Sequence, residues 1–371
     1  MTAPNGVKHA YVYDTLNRLR TLSVSNLQSQ VLHSYAYSLK PSGHRYQVLE
    51  ATAPSGPGRT TTYAYDDLYR LTGETVANDP NGQNGTIGYT LDKVGNRQSR
   101  SSSVASIPST ANTFNARDWL NTDTYDANGN TTIGHLPSAI GDHTAGTDVY
   151  DFENRLILRT RPDGTQVNLA YDADGNRIQK TLFDIGGNLT RATYYLVDTN
   201  NLTGYSQVLE EQTITYGGTT AVSSMRIYAY GSDLISQTTL AASGLPLTAY
   251  YAYDGHGSVR ELTDEAGTFT DTYTYDAFGV LLSRTGTSDN AYLYCGEQWD
   301  ADRGLYFNRA RYLNPDSGRF WSMDTYEGEN RAPASLHKYF YANANPVTYG
   351  DLSGNSIIDY MGLGLIEDVR S

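Results

Sequence analysis

The sequence predicts an all-β chain, and three observations carry that prediction. A Tyr-Asp phrase recurs from the first residues onward, 35 glycines punctuate the chain at turn-like positions, and runs that favour helix are few. Tyrosine is also preferred over phenylalanine, 32 to 8. A tyrosine ring buries a large apolar area while its hydroxyl still needs a partner or water. That preference predicts a Tyr-rich face around a polar space rather than a dry interior filled with Phe and Leu.

The repeated phrase is roughly Tyr-Asp-x-x-Gly/Asn-Arg-Leu. It begins at Tyr13, Tyr65, Tyr150 and Tyr171, with weaker copies at Tyr89 and Tyr125, and continues at Tyr253 and Tyr275. Each part has a physical task. Tyr-x-Tyr places two rings on one face of a strand, because strand side chains alternate. The aspartate carboxylate bonds backbone N–H groups two residues on, and the Gly or Asn supplies a positive φ. Arg-Leu or Arg-Ile opens the return strand. One phrase is therefore one β-hairpin, and a single hairpin cannot bury its own face. Many of them in series form a long sheet, stable only where its edges are covered.

In chain order, MTAPNGVKHAYVYD carries no apolar leader, and the first phrase follows Met1 closely. If Met1 interrupts a repeat series, the hairpin around Tyr13 presents open backbone and favours self-association. The stretch 99–145 is irregular, with Ser/Thr-rich and Gly/Pro-containing segments that read as loops or ragged strands. The best helix candidate follows Pro333, over Ser335 to Phe340. The densest set of Tyr, Asp, Arg and Gly runs from Tyr292 to Gly354 and reads as a closing module. These patterns divide the chain into a repeat shell at 1–290, a closing module at 291–355 and a short tail at 356–371.

The net charge of −13 argues against a nucleic-acid partner, whose phosphates it would repel. No apolar run is long enough to span a membrane. The single cysteine, Cys295, allows no internal disulfide and no Cys-based zinc site; a buried strand thiol is expected. Seven scattered histidines form no metal-ligating pattern. Asp172 to Gly175 starts like a calcium loop, but Phe183 stands where the bidentate Glu belongs, so a turn is expected. No cofactor and no metal is expected. Trp299 and Trp321 read as packing residues of the module.

The YDxxGR phrases, followed by GLYFNRARYLNPDSGRFWSMD and NPVTYGDLSG, resemble the Rhs/YD-repeat family over nearly the whole chain, and the last part resembles its repeat-associated core domain. Relatives of this type include bacterial polymorphic toxins, the C component of Tc insecticidal toxins and the animal teneurins. The resemblance implies a strip of hairpins that spirals into a hollow shell (a partial β-cocoon), plugged at one end by the core domain and enclosing a C-terminal effector. It also implies an aspartic autoprotease acting in cis. Matched by position, the catalytic residues are Asp324, Asp351 and Arg311, with Asp359 as an alternative second acid. Two carboxylates held close share one proton, so that one acts as acid while the other activates water.

The chain departs from the family pattern at Thr325 and Leu352, where Pro is usual, and at Asn355, where Leu is usual; Asp359 to Leu363 restores a second Asp-x-x-Gly-Leu. The expected cleavage region is therefore Gly354 and Asn355, or Leu363. The partners implied are upstream repeats or a shell-completing protein, and a C-terminal effector that the short tail does not contain. The location implied is the bacterial cytoplasm before secretion, or the cell surface by a specialised route. The rival readings are a non-catalytic adhesion or glycan- and protein-binding module, and a truncated remnant of a larger protein.

Overall fold

The computed structural model describes residues 1–52, 58–135, 145–218, 220–241, 244–356 and 358–359. Among these, most strands form two large antiparallel meanders in which each strand pairs with its sequence neighbour. The first sheet has nine strands, from Lys8–Tyr13 to Thr110–Ala111; the second has fourteen, from Thr124–Tyr125 to Leu281–Thr285. The break between them falls in the irregular stretch noted in the sequence. Part of that stretch, at 136–144, lies outside the described residues.

The repeat phrase explains the hairpins atom by atom. At Asp66, Oδ1 accepts from the N–H groups of Leu68 and Arg70, while Arg70 Nε donates to Oδ2 at 2.7 Å. Asp172 does the same with the N–H groups of Asp174 and Asn176 and with the Asn176 side chain. The third residue after each aspartate takes a positive φ, as at Asn17, Asn154 and Gly175. At Tyr65, Tyr150, Tyr171, Tyr253 and Tyr275 the strand register slips by one just before the turn.

The tyrosine hydroxyls have a task that the sequence reading did not assign. Tyr171 donates to the carbonyl of Leu156 at 2.9 Å, Tyr253 to Leu234 at 2.6 Å and Tyr275 to Val259 at 2.9 Å. Tyr65 and Tyr150 make the same bond, to Arg45 and Thr131. Each of these five phrases is thereby tied to a carbonyl near the start of the preceding return strand, a bond that phenylalanine cannot make. Many of these rings are buried, including Tyr35, Tyr89, Tyr251, Tyr273 and Tyr275. The expectation that tyrosine lines a wet face is corrected here: the rings pack, and the hydroxyls of these phrase tyrosines bond carbonyls inside the sheet.

The two sheets meet through polar contacts. Asn5 Nδ2 reaches Thr263 Oγ1 at 2.9 Å, the Gly255 N–H reaches the Tyr37 hydroxyl at 2.6 Å, and the Ala277 N–H reaches Glu74 Oε2 at 3.0 Å. Glu50 holds both Arg59 and Arg260 at this junction. The first strand is covered in part: Met1 exchanges backbone bonds with His9, and Thr2 bridges Lys8. Its far half, Tyr11 to Tyr13, remains exposed.

A four-stranded sheet, Gln298–Asp300 to Arg319–Phe320, forms the centre of the closing module. It sits against both large sheets. Arg177 reaches Gln298, Asp300 and Tyr312; Lys180 and Arg191 reach Asp302; Arg100 reaches Asp316. One apolar cluster joins Leu71 and Ile87 of the first sheet, Val259 and Tyr275 of the second, and Leu313 and Phe320 of the module. A side chain as buried as Phe320 contributes about 2 kcal/mol. Trp321 packs with Leu156, Leu169, Leu305 and Tyr312, and its Nε1 donates to Asp148 at 2.7 Å.

Two local expectations are corrected. The segment after Pro333 forms only a 3-10 turn, Pro333–Leu336. His337 then turns extended, its ring bonded to Asn96 at 2.9 Å, and Tyr339 is drawn into full burial. Cys295 lies on a 3-10 turn, Tyr294–Gly296, with φ +52°, rather than on a strand. That turn lets the Tyr294 hydroxyl reach the Ala277 carbonyl at 2.6 Å.

Candidate active site in the closing module

Arg311 opens the strand Arg311–Asn314, directly after the tight turn that Arg309 and Ala310 make from Leu305–Asn308. Its guanidinium lies 3.7 Å above the Phe320 ring, which holds it flat within the module. From there it makes four polar contacts. One terminal nitrogen pairs with Asp324 Oδ2 at 2.7 Å and with Asp351 Oδ2 at 3.4 Å. The other donates to the Lys338 carbonyl at 3.2 Å, and Nε donates to the carbonyl of Gly354. Two carboxylate oxygens on one nitrogen cannot be more than about 6 Å apart, the two distances laid end to end. The structure thus brings Arg311, Asp324 and Asp351 together and sets the Gly354 carbonyl beside them.

The two acids occupy different surroundings. The Asp324 side chain is 15% exposed, and that of Asp351 is 2% exposed. Asp324 is fixed through its own N–H to the Lys338 carbonyl, and its Oδ1 accepts from the Tyr326 N–H. Asp351 Oδ1 caps a tight loop, accepting from the N–H groups of Gly354 at 2.8 Å and Ser356 at 3.1 Å and from the Ser353 hydroxyl at 3.1 Å. Burial pushes the Asp351 carboxyl above its ordinary value, against the pull of Arg311 and of these donors. The same burial lowers the proton affinity of Arg311, with both aspartates acting to restore it.

Gly354 needs to be glycine. Its φ is +78°, and an added Cβ would meet the Asn308 carbonyl oxygen at 2.3 Å. The loop is also held from outside: Asn308 Nδ2 donates to the Asp351 carbonyl at 2.6 Å, and the Ala310 N–H donates to the Ser353 carbonyl. A cleft of about 330 Å³, lined by Tyr171, Asn176, Arg311, Ser353 and Asn355 among others, opens beside this loop. Asp359 lies on the two-residue strand Ile358–Asp359, paired in register with Tyr349. Leu363 lies outside the described residues.

Sequence reasoning missed Asn308, Arg309, Glu297 and Ser353 around the pair. The first two stand in the motif NRARY, where two arginines bracket one residue in a segment already marked as special. Glu297 carried no such signal. The Cys295 Sγ is 3.4 Å from His256 Nδ1, but burial raises its pKa far above the ordinary thiol and lowers that of His256 to about 4. The pair is held as thiol and neutral imidazole, not as the thiolate that a nucleophile requires.

No protein-family model matches the chain. The tRNA3(Ser)-specific nuclease WapA of Bacillus spizizenii is 30% identical over 306 residues, which cover 78% of this chain and 12% of that protein. The double-stranded DNA deaminase toxin A of Burkholderia cenocepacia is 29% identical over 223 residues, 54% of this chain and 15% of that protein. The chain therefore spans only a small part of the curated relatives it matches. Among solved structures, the TcdB2-TccC3-Cdc42 crystal structure superposes with a TM-score of 0.77 at 22% identity, over 95% of this chain and 18% of that one. The Photorhabdus luminescens Tc holotoxin pore gives 0.76 at 19% identity, over 99% and 18%. Sequence and structure together support an Rhs/YD-repeat-like chain, with the all-β fold of an Rhs shell whose sheets are not closed in the described residues.

Proposed function

We propose that this chain forms part of a shell around a toxic C-terminal segment, and that its closing module hydrolyses its own Gly354–Asn355 bond. The likeness to WapA and to TcdB2-TccC3 assemblies supports the shell, with further repeats or a shell-completing protein as the partner. The observation that carries the cleavage reading is the single guanidinium of Arg311, which touches two carboxylates and the Gly354 carbonyl oxygen at once.

Each group then has a distinct role. Asp324, ion-paired and nearer to solvent, is the base that takes a proton from a water attacking the Gly354 carbonyl carbon. Arg311 Nε stabilises the negative charge that develops on the carbonyl oxygen. Asp351, whose proton is favoured by burial, is the acid that protonates the departing Asn355 nitrogen. Ser353 Oγ lies 3.1 Å from Asp351 Oδ1 and 3.0 Å from that nitrogen, within reach of both ends of the transfer. The C–N bond breaks, leaving a carboxylate on Gly354 and an amine on Asn355.

The test is intact mass against time for chain refolded from denaturant. A product ending at Gly354 is expected from the wild type. Asp324→Asn and Asp351→Asn should each slow its appearance by at least about 100-fold, the usual contribution of a positioned acid or base. Asp359→Asn should leave the rate unchanged; if it alone blocks cleavage, the second Asp-x-x-Gly is the working one. A wild-type chain of constant mass, or cleavage that survives both Asp324→Asn and Asp351→Asn, would refute the reading.

The pH profile follows from the sign of the Asp351 shift. A carboxyl whose folded-state pKa is raised stabilises the fold most at low pH, and that contribution is lost as pH rises through the raised value. Cleavage needs the same proton, so its alkaline limb should fall above the range of an ordinary carboxylate and disappear in Asp351→Asn.

A further inference from the structure

Arg309 has a costly conformation and an unusual set of contacts. Its φ is +56°, the left-handed region in which a non-glycine residue is strained. A glycine would occupy that turn position with less strain, so its side chain is the reason to look further. The guanidinium is engaged on three sides. One nitrogen grips both oxygens of Glu297, at 2.9 and 3.1 Å, and also donates to the Leu352 carbonyl. Nε donates to the Ser206 carbonyl at 3.2 Å, and the plane lies over the Tyr205 ring at 5.2 Å.

These partners belong to three parts of the molecule. Ser206 and Tyr205 lie in the connection between the strands Leu189–Asp198 and Gln207–Gly217 of the large sheet. Glu297 leads into the module sheet and is 6% exposed. Leu352 is in the loop between Asp351 and Gly354. Arg309 therefore ties the repeat wall to the segment that carries the bond facing Arg311.

We infer that Arg309, braced by Glu297 and by the wall at Ser206, is a positioning residue that holds the Leu352 carbonyl so that the Gly354–Asn355 bond faces Arg311 and the two aspartates. This rests on the cleavage reading above. Arg309 touches neither acid and takes no proton; it acts through the loop backbone. Misplacing a reacting group by about 1 Å costs on the order of 100-fold in rate, so loosening one carbonyl tether by less should cost about tenfold. Because Ser206 and Tyr205 belong to the wall, the inference also makes cleavage depend on the wall being folded.

The decisive variant is Arg309→Gly, which relieves the left-handed strain while removing the guanidinium. A residue with only a structural role would lose stability here. Compared in the Glu297→Gln background, so that no buried carboxylate is left unpaired, a positioning residue should keep its unfolding midpoint within a few degrees and still cleave about tenfold more slowly, with Arg309→Lys recovering part of the rate. The pH profile should keep its shape, because the acid and the base are untouched. In parallel, hydrogen exchange is measured at residues 352–356 in the uncleaved Asp324→Asn chain, with and without Arg309→Gly. Faster exchange confined to that loop is expected. Unchanged exchange would overturn the inference, as would wild-type cleavage by Arg309→Gly. If the wild-type chain itself is not cut, the cleavage reading falls alone, and the exchange comparison still decides whether Arg309 orders the loop.

Discussion

The repeat turns and the closing module use the same two side chains, aspartate and arginine, to opposite ends. In the turn at Asp14, the partner Arg18 is four residues away and both side chains are about one-fifth exposed. One arginine serves one aspartate, and their bond with the local N–H groups holds the carboxyl down at about 2. In the module one arginine, 4% exposed, serves two aspartates drawn from separate segments, and burial pushes Asp351 the other way. The local pair is a clamp in its stable ionised state. The remote triad is short of positive charge, buried and aimed at a peptide carbonyl. Stoichiometry and burial, not residue type, separate a turn from a candidate reaction centre.

The comparison breaks most visibly at the arginines. In the uncleaved Asp324→Asn background, Arg311→Ala leaves Asp351 buried without its partner and should lower unfolding free energy by about 3–5 kcal/mol, as removing one partner of a buried pair does. Arg70→Ala, in a repeat turn where the pair is 17% and 25% exposed, should cost about 1 kcal/mol or less. Denaturant titration of the two variants checks this, using the uncleaved Asp324→Asn background for both. Equal losses would mean that the module triad is just another clamp.

The same contrast explains what could be read from the sequence. The hairpins were legible because every part is local: the Asp turn, the positive φ three residues on and the Tyr-x-Tyr face lie within one short phrase. The two-sheet division was half legible, as an irregular stretch without a fold of its own. The tyrosine hydroxyls were misjudged, because their acceptors, such as Val259 for Tyr275, lie one strand back and carry no sequence mark. At the site, Arg311, Asp324 and Asp351 came from the resemblance to the Rhs/YD-repeat family, matched by position. Glu297 and Ser206 could not, since the pairing of Gln298–Asp300 with Leu305–Asn308 brings the first to Arg309 and the docked wall brings the second.

The stitch gives the next prediction. Tyr275→Phe keeps the ring but removes the donor to the buried Val259 carbonyl, and should destabilise by about 1 kcal/mol. Tyr171→Phe should do the same at Leu156. Tyr13→Phe, at an exposed position, should change little. Thermal or denaturant unfolding of the three variants decides whether Tyr is preferred for this bond; a uniform absence of effect would mean that the bond adds nothing to the fold.

The smallest expected effect sharpens the chemistry. Cys295 and His256 stand 3.4 Å apart, a spacing that resembles a nucleophile and its base. Both are buried, however, and burial shifts them away from the charged pair: the thiol upward, the imidazole down to about 4. No neutral pH then populates thiolate and imidazolium together. Cys295→Ala should therefore leave the rate of cleavage within about twofold of wild type, while the small cavity it creates costs about 1 kcal/mol. A thiol reagent should label the native chain only as fast as it unfolds. A large loss of cleavage in Cys295→Ala with the fold intact would shift the reaction from the aspartates to the thiol, and the triad around Arg311 would then have to be read as structure.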